Sequence, residues 1–294
     1  MKKTKEKASD SVFQVCMILL FALLFFICFY PFWYIFIVSI SDSVESQRTV
    51  VSFLPVQPTL ENYRQIFRLQ GIWSAFGVSA LRTVVGTIVT LFFTSIFAYT
   101  LTKQNLPFRK CFYRFAVISM YLNAGLIPWY LTMRNIGLKD SFWVYILPGA
   151  VGAYNMVLIK TYIESISPSL EESALIDGAG YLRIYAKIVM PICLPILAAV
   201  TVFSAIGQWN QWYDNLLLVN NNSLKTLQLT LLEYLRKTTN AANEAQSGLA
   251  GGVNIAPMTV RMTITMVATL PILIVYPAMQ KYFIKGIMVG AVKG

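Results

Sequence analysis

The chain has 294 residues, 56% of them hydrophobic and only 13% charged, with a positive mean hydropathy and a formal net charge of +11. It contains no histidine, no GxxxxGK[ST] phosphate loop and no Cys or acid cluster at metal spacing, so neither imidazole catalysis nor a metal site in this chain is expected. The composition excludes an ordinary soluble domain, and basic residues scattered at the ends of apolar segments suit lipid headgroups rather than nucleic acid.

Charge-free apolar runs recur at 12–41, 83–102, 115–133, 141–159, 188–213 and 262–280. At about 1.5 Å of rise per residue, each run is long enough to cross a hydrocarbon core of about 30 Å. They lack the alternation of barrel strands, and backbone groups in lipid must bond within their own segment, so helices are expected. The predicted architecture is an all-α membrane protein, one transmembrane domain over 1–294 with six spans at about 12–41, 74–102, 112–133, 141–160, 190–216 and 259–281. The first run follows Lys2, Lys3, Lys5 and Lys7 but exceeds a signal h-region of about 7 to 15 residues, and it is read as an uncleaved span.

Lys and Arg set the orientation. The groups at 2–7, 103–114, 160–187 and 281–293 fall on one side, which is expected to be cytoplasmic together with both termini. The other side carries fewer cations, spread mainly over 47–73 and 220–258, segments long enough to meet an extracellular partner. Cys16, Cys28, Cys111 and Cys193 have no paired spacing and are expected as core fillers.

The six runs hold no carboxylate, and Asp214 is at the outer edge of the fifth. Ion-coupled carriers commonly place an acid or His at mid-membrane, so an energy source outside the chain is expected. Asn123 and Asn155 fall within the third and fourth spans, where an amide either lines a path or bonds a neighbouring helix. The fifth span ends in Gln208, Trp209, Asn210, Gln211, Trp212, Tyr213 and Asp214, a set that suits sugar contacts and equally an interfacial belt. Pro128, Pro148, Pro271 and Pro277 are expected to bend spans.

The cytoplasmic loop at 166–190 is unlike its surroundings, reading EESALIDGAGYLRIYAKIV from residue 171. Ser167 and Pro168 predict a helix start, with Ser169 and Glu172 as a second possible cap. Asp177 and Gly178 predict its end near Ile176, and a second amphipathic helix over 181–189 carries Arg183 and Lys187 on one face. Small residues at Ser173, Ala174, Ala179 and Gly180 allow close approach by another protein; an amphipathic helix resting on lipid is the alternative.

The run of Glu172, Ser173, Ala174, then Asp177, Gly178, Ala179, then Ile188, Pro191 and Pro195, resembles the EAA loop of permease subunits of bacterial ATP-binding cassette importers. Ser173 stands where an Ala is usual. The resemblance extends over almost the whole chain, through TLENYRQIF at 59–67, NAGLIPWYL at 123–131, ILPGAV at 146–151, GQWNQWYD at 207–214 and KGIMVGAVKG at 285–294. It is similar to the carbohydrate-uptake branch that includes maltose-type systems, and within it to the group associated with complex oligosaccharides.

The resemblance implies a type I importer permease in the bacterial cell membrane, carrying a sugar by alternating access. It implies a second permease, two ATP-binding subunits holding ATP and Mg, and an extracellular solute-binding protein as partners, with no cofactor in this chain. Glu171, Glu172, Ser173, Ala174, Asp177, Gly178 and Ala179 would form the ATPase-coupling loop, with Glu172 in polar contact and Ala174 and Ala179 packed in the ATPase cleft. Gly286, Gly290 and Gly294 would lie in an extended tail between the ATPases, and spans four and five would follow the loop. Asn123, Asn155, Gln208, Trp209, Asn210 and Trp212 are candidates for the substrate path. A self-sufficient secondary carrier or facilitator, with the loop merely on lipid, is the competing reading.

Overall fold

The computed structural model describes residues 2–49, 51, 53–122, 124–246 and 257–291. Among them the structure is helical, with one isolated antiparallel bridge between Ser41 and Pro58. The first helices are Lys2–Ser39 (α1), Glu45–Arg48 (α2), Glu61–Phe67 (α3), Ile72–Thr102 (α4), Arg109–Ser119 (α5) and Leu126–Asn135 (α6). Then come Ala153–Glu164 (α7), Pro168–Ile176 (α8), Tyr181–Ile184 (α9), Met190–Ile192 (α10) and Leu194–Asn210 (α11), followed by Tyr213–Leu218 (α12), Leu227–Gln246 (α13) and Pro257–Ala291 (α14).

Among the described residues three helices are long and apolar enough to cross a membrane, or up to five if each of two bent pairs is one span. The long ones include Phe13–Ser39, Ile72–Thr102 and Met258–Pro277; the bent pairs turn by 44° between Phe142–Gly149 and α7, and by 82° between Tyr181–Ile192 and α11. The expected third span at 112–133 is divided between α5 and α6. Gly125 takes φ +85°, and Pro128 in the first turn of α6 lacks the N–H that a continuous helix would need there. Pro271 and Pro277, by contrast, fall inside an uninterrupted α14.

Two compact units divide the chain, 1–69 with 233–269 and 70–232 with 270–294. In the first, Ile37, Val38 and Val51 form a core with Tyr34, Val56 and Met262. Asn62 fixes the end of α1 by donating to the carbonyls of Ser39 and Ser41 at 3.0 and 2.8 Å, and its Oδ1 accepts from Ser43 Oγ at 2.7 Å. The motif residue Asn62 thus satisfies carbonyls that a helix end leaves without partners.

In the second unit α4 packs against α11 and α7. Its amphipathicity is inverted: Leu81, Val84, Ile88 and Phe92 are exposed, whereas Ser79, Arg82, Thr87, Thr90, Thr94 and Ser95 are buried. Spacings of three and four residues align Ser79, Arg82, Gly86, Thr90 and Thr94 along one helix face. Its hydroxyls satisfy the broken fourth span, Thr90 Oγ1 donating to Gly149 O at 2.9 Å and Thr94 Oγ1 accepting from Gly152 N at 3.1 Å.

The cysteine expectation holds only for Cys193, which is buried. Cys16, Cys28 and Cys111 are exposed, as side chains in contact with lipid would be, and all four are free.

Candidate functional site

A cavity of about 950 Å³ opens within the second unit, between the polar face of α4, the broken fourth span, α6 and the end of α11. Its wall mixes amides and aromatic rings, among them Asn155, Gln208, Gln211, Trp129, Tyr145 and Tyr213. Arg82 organises this wall, and the residue is only 2% exposed. Nε donates to Gln208 Oε1 at 3.0 Å, Nη1 to Gln211 O at 2.9 Å and to Asp214 Oδ1 at 3.1 Å, and Nη2 to Asp214 Oδ2. The Tyr145 ring faces the guanidinium with its centroid 4.6 Å from Cζ. Asp214 Oδ1 also accepts from Asn215 N at 2.8 Å.

This two-pronged pairing explains how a charge is kept within a helix long and apolar enough to span. The opposite charge lies in hydrogen-bonding reach, and the remaining donors meet a carbonyl and an amide. Gly86, one turn from Arg82, is required by the same arrangement: a Cβ there would stand 2.7 Å from Gln208 Cδ and Nε2. The sequence reading overlooked Arg82 because it scored runs by the absence of charge. An available signal was the matching of one isolated cation in an apolar helix to one isolated acid beyond another.

Of the residues expected along a path, Asn155 and Gln208 line the cavity. Trp209 is buried, packs edge-on against Phe76, and borders a separate apolar cavity of about 340 Å³. Asn210 is exposed and Trp212 is half-buried against Tyr213, and both stand off the larger cavity's wall. Asn123 lies outside the described residues.

The loop at 166–190 forms the other end of the unit. Helix α8 closes at Asp177, with Gly178 at φ +77°, Gly178 N donating to Leu175 O at 3.0 Å and Ala179 N to Ala174 O at 2.9 Å. These two bonds are the paired closure of a Schellman turn, and they require the left-handed residue that glycine supplies. Glu172, Ser173 and Asp177 are exposed. The expected helix caps differ: Ser167 makes no side-chain cap and instead shares a 2.8 Å bond with Ser169 Oγ.

Two environments face into the chain. Ala174 is buried in this chain's own core with Ala98, Leu101 and Ile184, and Ala179 packs against that core. Glu171 is also held inside the chain, by Lys103 Nζ on both oxygens and by Tyr99 OH at 3.3 Å. The second amphipathic segment passes from α9 into one turn of π-helix, Tyr185–Val189. Toward the C-terminus the expected extended tail is replaced by helix as far as Ala291, which includes the backbone of Gly286 and Gly290, while Gly294 lies outside the described residues.

The family model for the binding-protein-dependent transport system inner membrane component matches residues 93–289. The chain is 35% identical over 277 residues to the polygalacturonan/rhamnogalacturonan transport system permease protein YtcP of Bacillus subtilis (strain 168), covering 94% of this chain and 96% of that one. It is 35% identical over 285 residues to the protein LplC of the same organism, covering 96% and 95%. Among solved structures, it resembles a chain of a bacterial ABC transporter involved in the import of the acidic polysaccharide alginate, with a TM-score of 0.82 and 31% identity over 94% of this chain and 98% of that chain. A helical chain with buried charges paired inside it, matched by that model over 93–289 and by those relatives over nearly its full length, belongs to the family of binding-protein-dependent transport system inner membrane components.

Proposed function

We propose that this chain is one of two transmembrane subunits of an ATP-driven importer that moves an oligosaccharide into the cytoplasm by alternating access. The observation that carries this reading is the cavity in which Asn155, Gln208 and Gln211 stand beside Trp129, Tyr145 and Tyr213. Sugars present hydroxyls to amides and apolar ring faces to aromatics, so such a wall suits them better than an ion or a lipid tail. The functions of the relatives, polygalacturonan and rhamnogalacturonan transport and alginate import, point to the same class. Asp214 is already neutralised by Arg82, which argues against a free carboxylate for proton or sodium coupling.

In this reading six spans cross a bacterial cell membrane with both termini in the cytoplasm, α5 and α6 making up the third. The partners are a second permease, two ATP-binding subunits that hold ATP and Mg, and an extracellular solute-binding protein. Glu172, Ser173, Asp177 and Gly178 form the exposed corner that meets the ATPase, and ATP-driven closure of that partner moves the loop.

The test is ATP-dependent uptake of labelled oligogalacturonate by vesicles containing the assembled complex. Gly178→Pro, which cannot adopt φ +77°, and Glu172→Lys are expected to leave the chain in the membrane and ATP still hydrolysed while uptake fails. Unchanged uptake in both variants, or robust uptake by this chain alone down a gradient, overturns the reading.

A further inference from the structure

We infer that α4 is the arm that carries the loop's movement to the cavity, and that Lys103 and Glu171 are positioning residues fastening the loop to it. This rests on the coupling reading above. Three independent contacts join the last two turns of α4 to the loop. Lys103 Nζ binds both carboxylate oxygens of Glu171 in the first turn of α8, and it stands 3.8 Å from the centroid of the Tyr99 ring, whose hydroxyl meets the same carboxylate. Ser95 Oγ and Tyr185 OH share a 2.7 Å bond, and the rings of Tyr99 and Tyr185 are 5.4 Å apart. Ala98 and Leu101 share a buried core with Ala174 and Ile184. The loop is therefore packed on α4 on both sides of the Asp177–Gly178 corner.

From that end α4 continues to the cavity, where the contacts already described attach it: Thr94 and Thr90 hold the broken fourth span, Gly86 seats Gln208, and Arg82 holds Asp214. The separation of Lys103 from Arg82 corresponds to about 30 Å of helix at 1.5 Å per residue. No proline interrupts α4. The two alternative routes are weaker levers. Helix α7 lines the cavity at Asn155, but the Tyr145 ring that meets Arg82 lies beyond its 44° bend, and α11 follows a π-helical turn, Pro191, Pro195 and an 82° bend. Bends at proline and π-turns yield where a regular helix does not, so displacement at the loop reaches Arg82 through α4 with least loss.

Full complexes carrying Lys103→Glu, Glu171→Lys or both exchanges provide the test, with three readouts: ATPase rate, sugar taken up per ATP, and disulfide capture of the ATPase by a cysteine placed at Glu172. Each single variant is expected to lower uptake per ATP by about tenfold, within the usual range of site-to-site coupling, while capture and basal ATPase persist. The double exchange, which restores an opposite-charge pair, is expected to recover most of the loss. Wild-type coupling in both single variants overturns the inference, as does loss of capture in Glu171→Lys that the exchange does not repair, because Glu171 would then serve the ATPase directly. Gly178→Pro is measured alongside: if it too leaves uptake intact, the coupling reading itself fails, whereas failure confined to the Lys103 and Glu171 variants removes only the role of α4.

Discussion

The two ends of α4 carry the same kind of contact in different surroundings. At the cavity end the side chains of Arg82 and Asp214 are 3% and 6% exposed; at the loop end those of Lys103 and Glu171 are 17% and 26% exposed. The second pair is more open to solvent than the first. A pair screened by water loses little when it opens, whereas separating a desolvated pair strands a charge in a medium that cannot solvate it. The difference teaches that one helix can be fixed to its neighbours at one end and fastened releasably at the other.

The largest effect expected from breaking this asymmetry is at the fixed end. Asp214→Ala should destabilise the second unit by about 3–5 kcal/mol, because Arg82 keeps its charge and loses the bidentate partner. Thermal unfolding in detergent and the amount of chain recovered from membranes would report it. Replacing both residues, Arg82→Met with Asp214→Leu, should recover much of that stability, since no unpaired charge remains. Equal damage from the single and double replacements would mean that Gln208 and Gln211, and not the charge pair, hold the wall.

A smaller effect sharpens the same point. Gly86→Ala forces Gln208 away from its seat, because the new Cβ would approach its Cδ to 2.7 Å. Gln208 ends a flexible side chain, but its Oε1 is bound to Arg82 Nε at 3.0 Å, so moving it breaks that bond. An overpacked site of this sort costs about 1–3 kcal/mol. In a Gln208→Ala background the space is open, and the same Gly86 substitution should be nearly neutral. A cost that persists there would trace the strain to the backbone of α4.

How far all this was legible in the sequence also differs between the two ends. Around the loop, Pro168, Asp177 and Gly178 act through local backbone geometry, and the helix bounds and the left-handed corner were readable directly. The inward turn of Glu171 and Ala174 was not, because it depends on Tyr99, Lys103 and Ala98, some 70 residues earlier. At the cavity end the apolar runs marked where helices occur but counted composition alone. The alternation of exposed Leu81, Val84 and Ile88 with buried Ser79, Arg82 and Thr90 is a periodicity that such a count discards. The splitting of the third span had visible causes in Gly125 and Pro128: Pro128 was expected to bend the span, whereas Gly125 was submerged by the hydrophobicity around it.

The smallest expected effect concerns the start of α8, where a local rule and the folded chain disagree. A Ser before Pro at a helix start ordinarily caps a free amide, and its replacement by Ala costs about 1 kcal/mol. Here Ser167 Oγ is turned to Ser169 Oγ, and both residues are exposed to water that can replace either partner. The start of α8 is held instead by Glu171 in its first turn, through Lys103 and Tyr99 of α4. Ser167→Ala should therefore change stability by less than about 0.5 kcal/mol. The comparison that decides it is hydrogen exchange of the α8 amides: Ser167→Ala should leave them protected, whereas Lys103→Gln should loosen them while leaving the Arg82 end unaffected. Loosening by Ser167→Ala to the same degree would mean that α8 holds itself by local capping, and that its attachment to α4 is incidental to its folding.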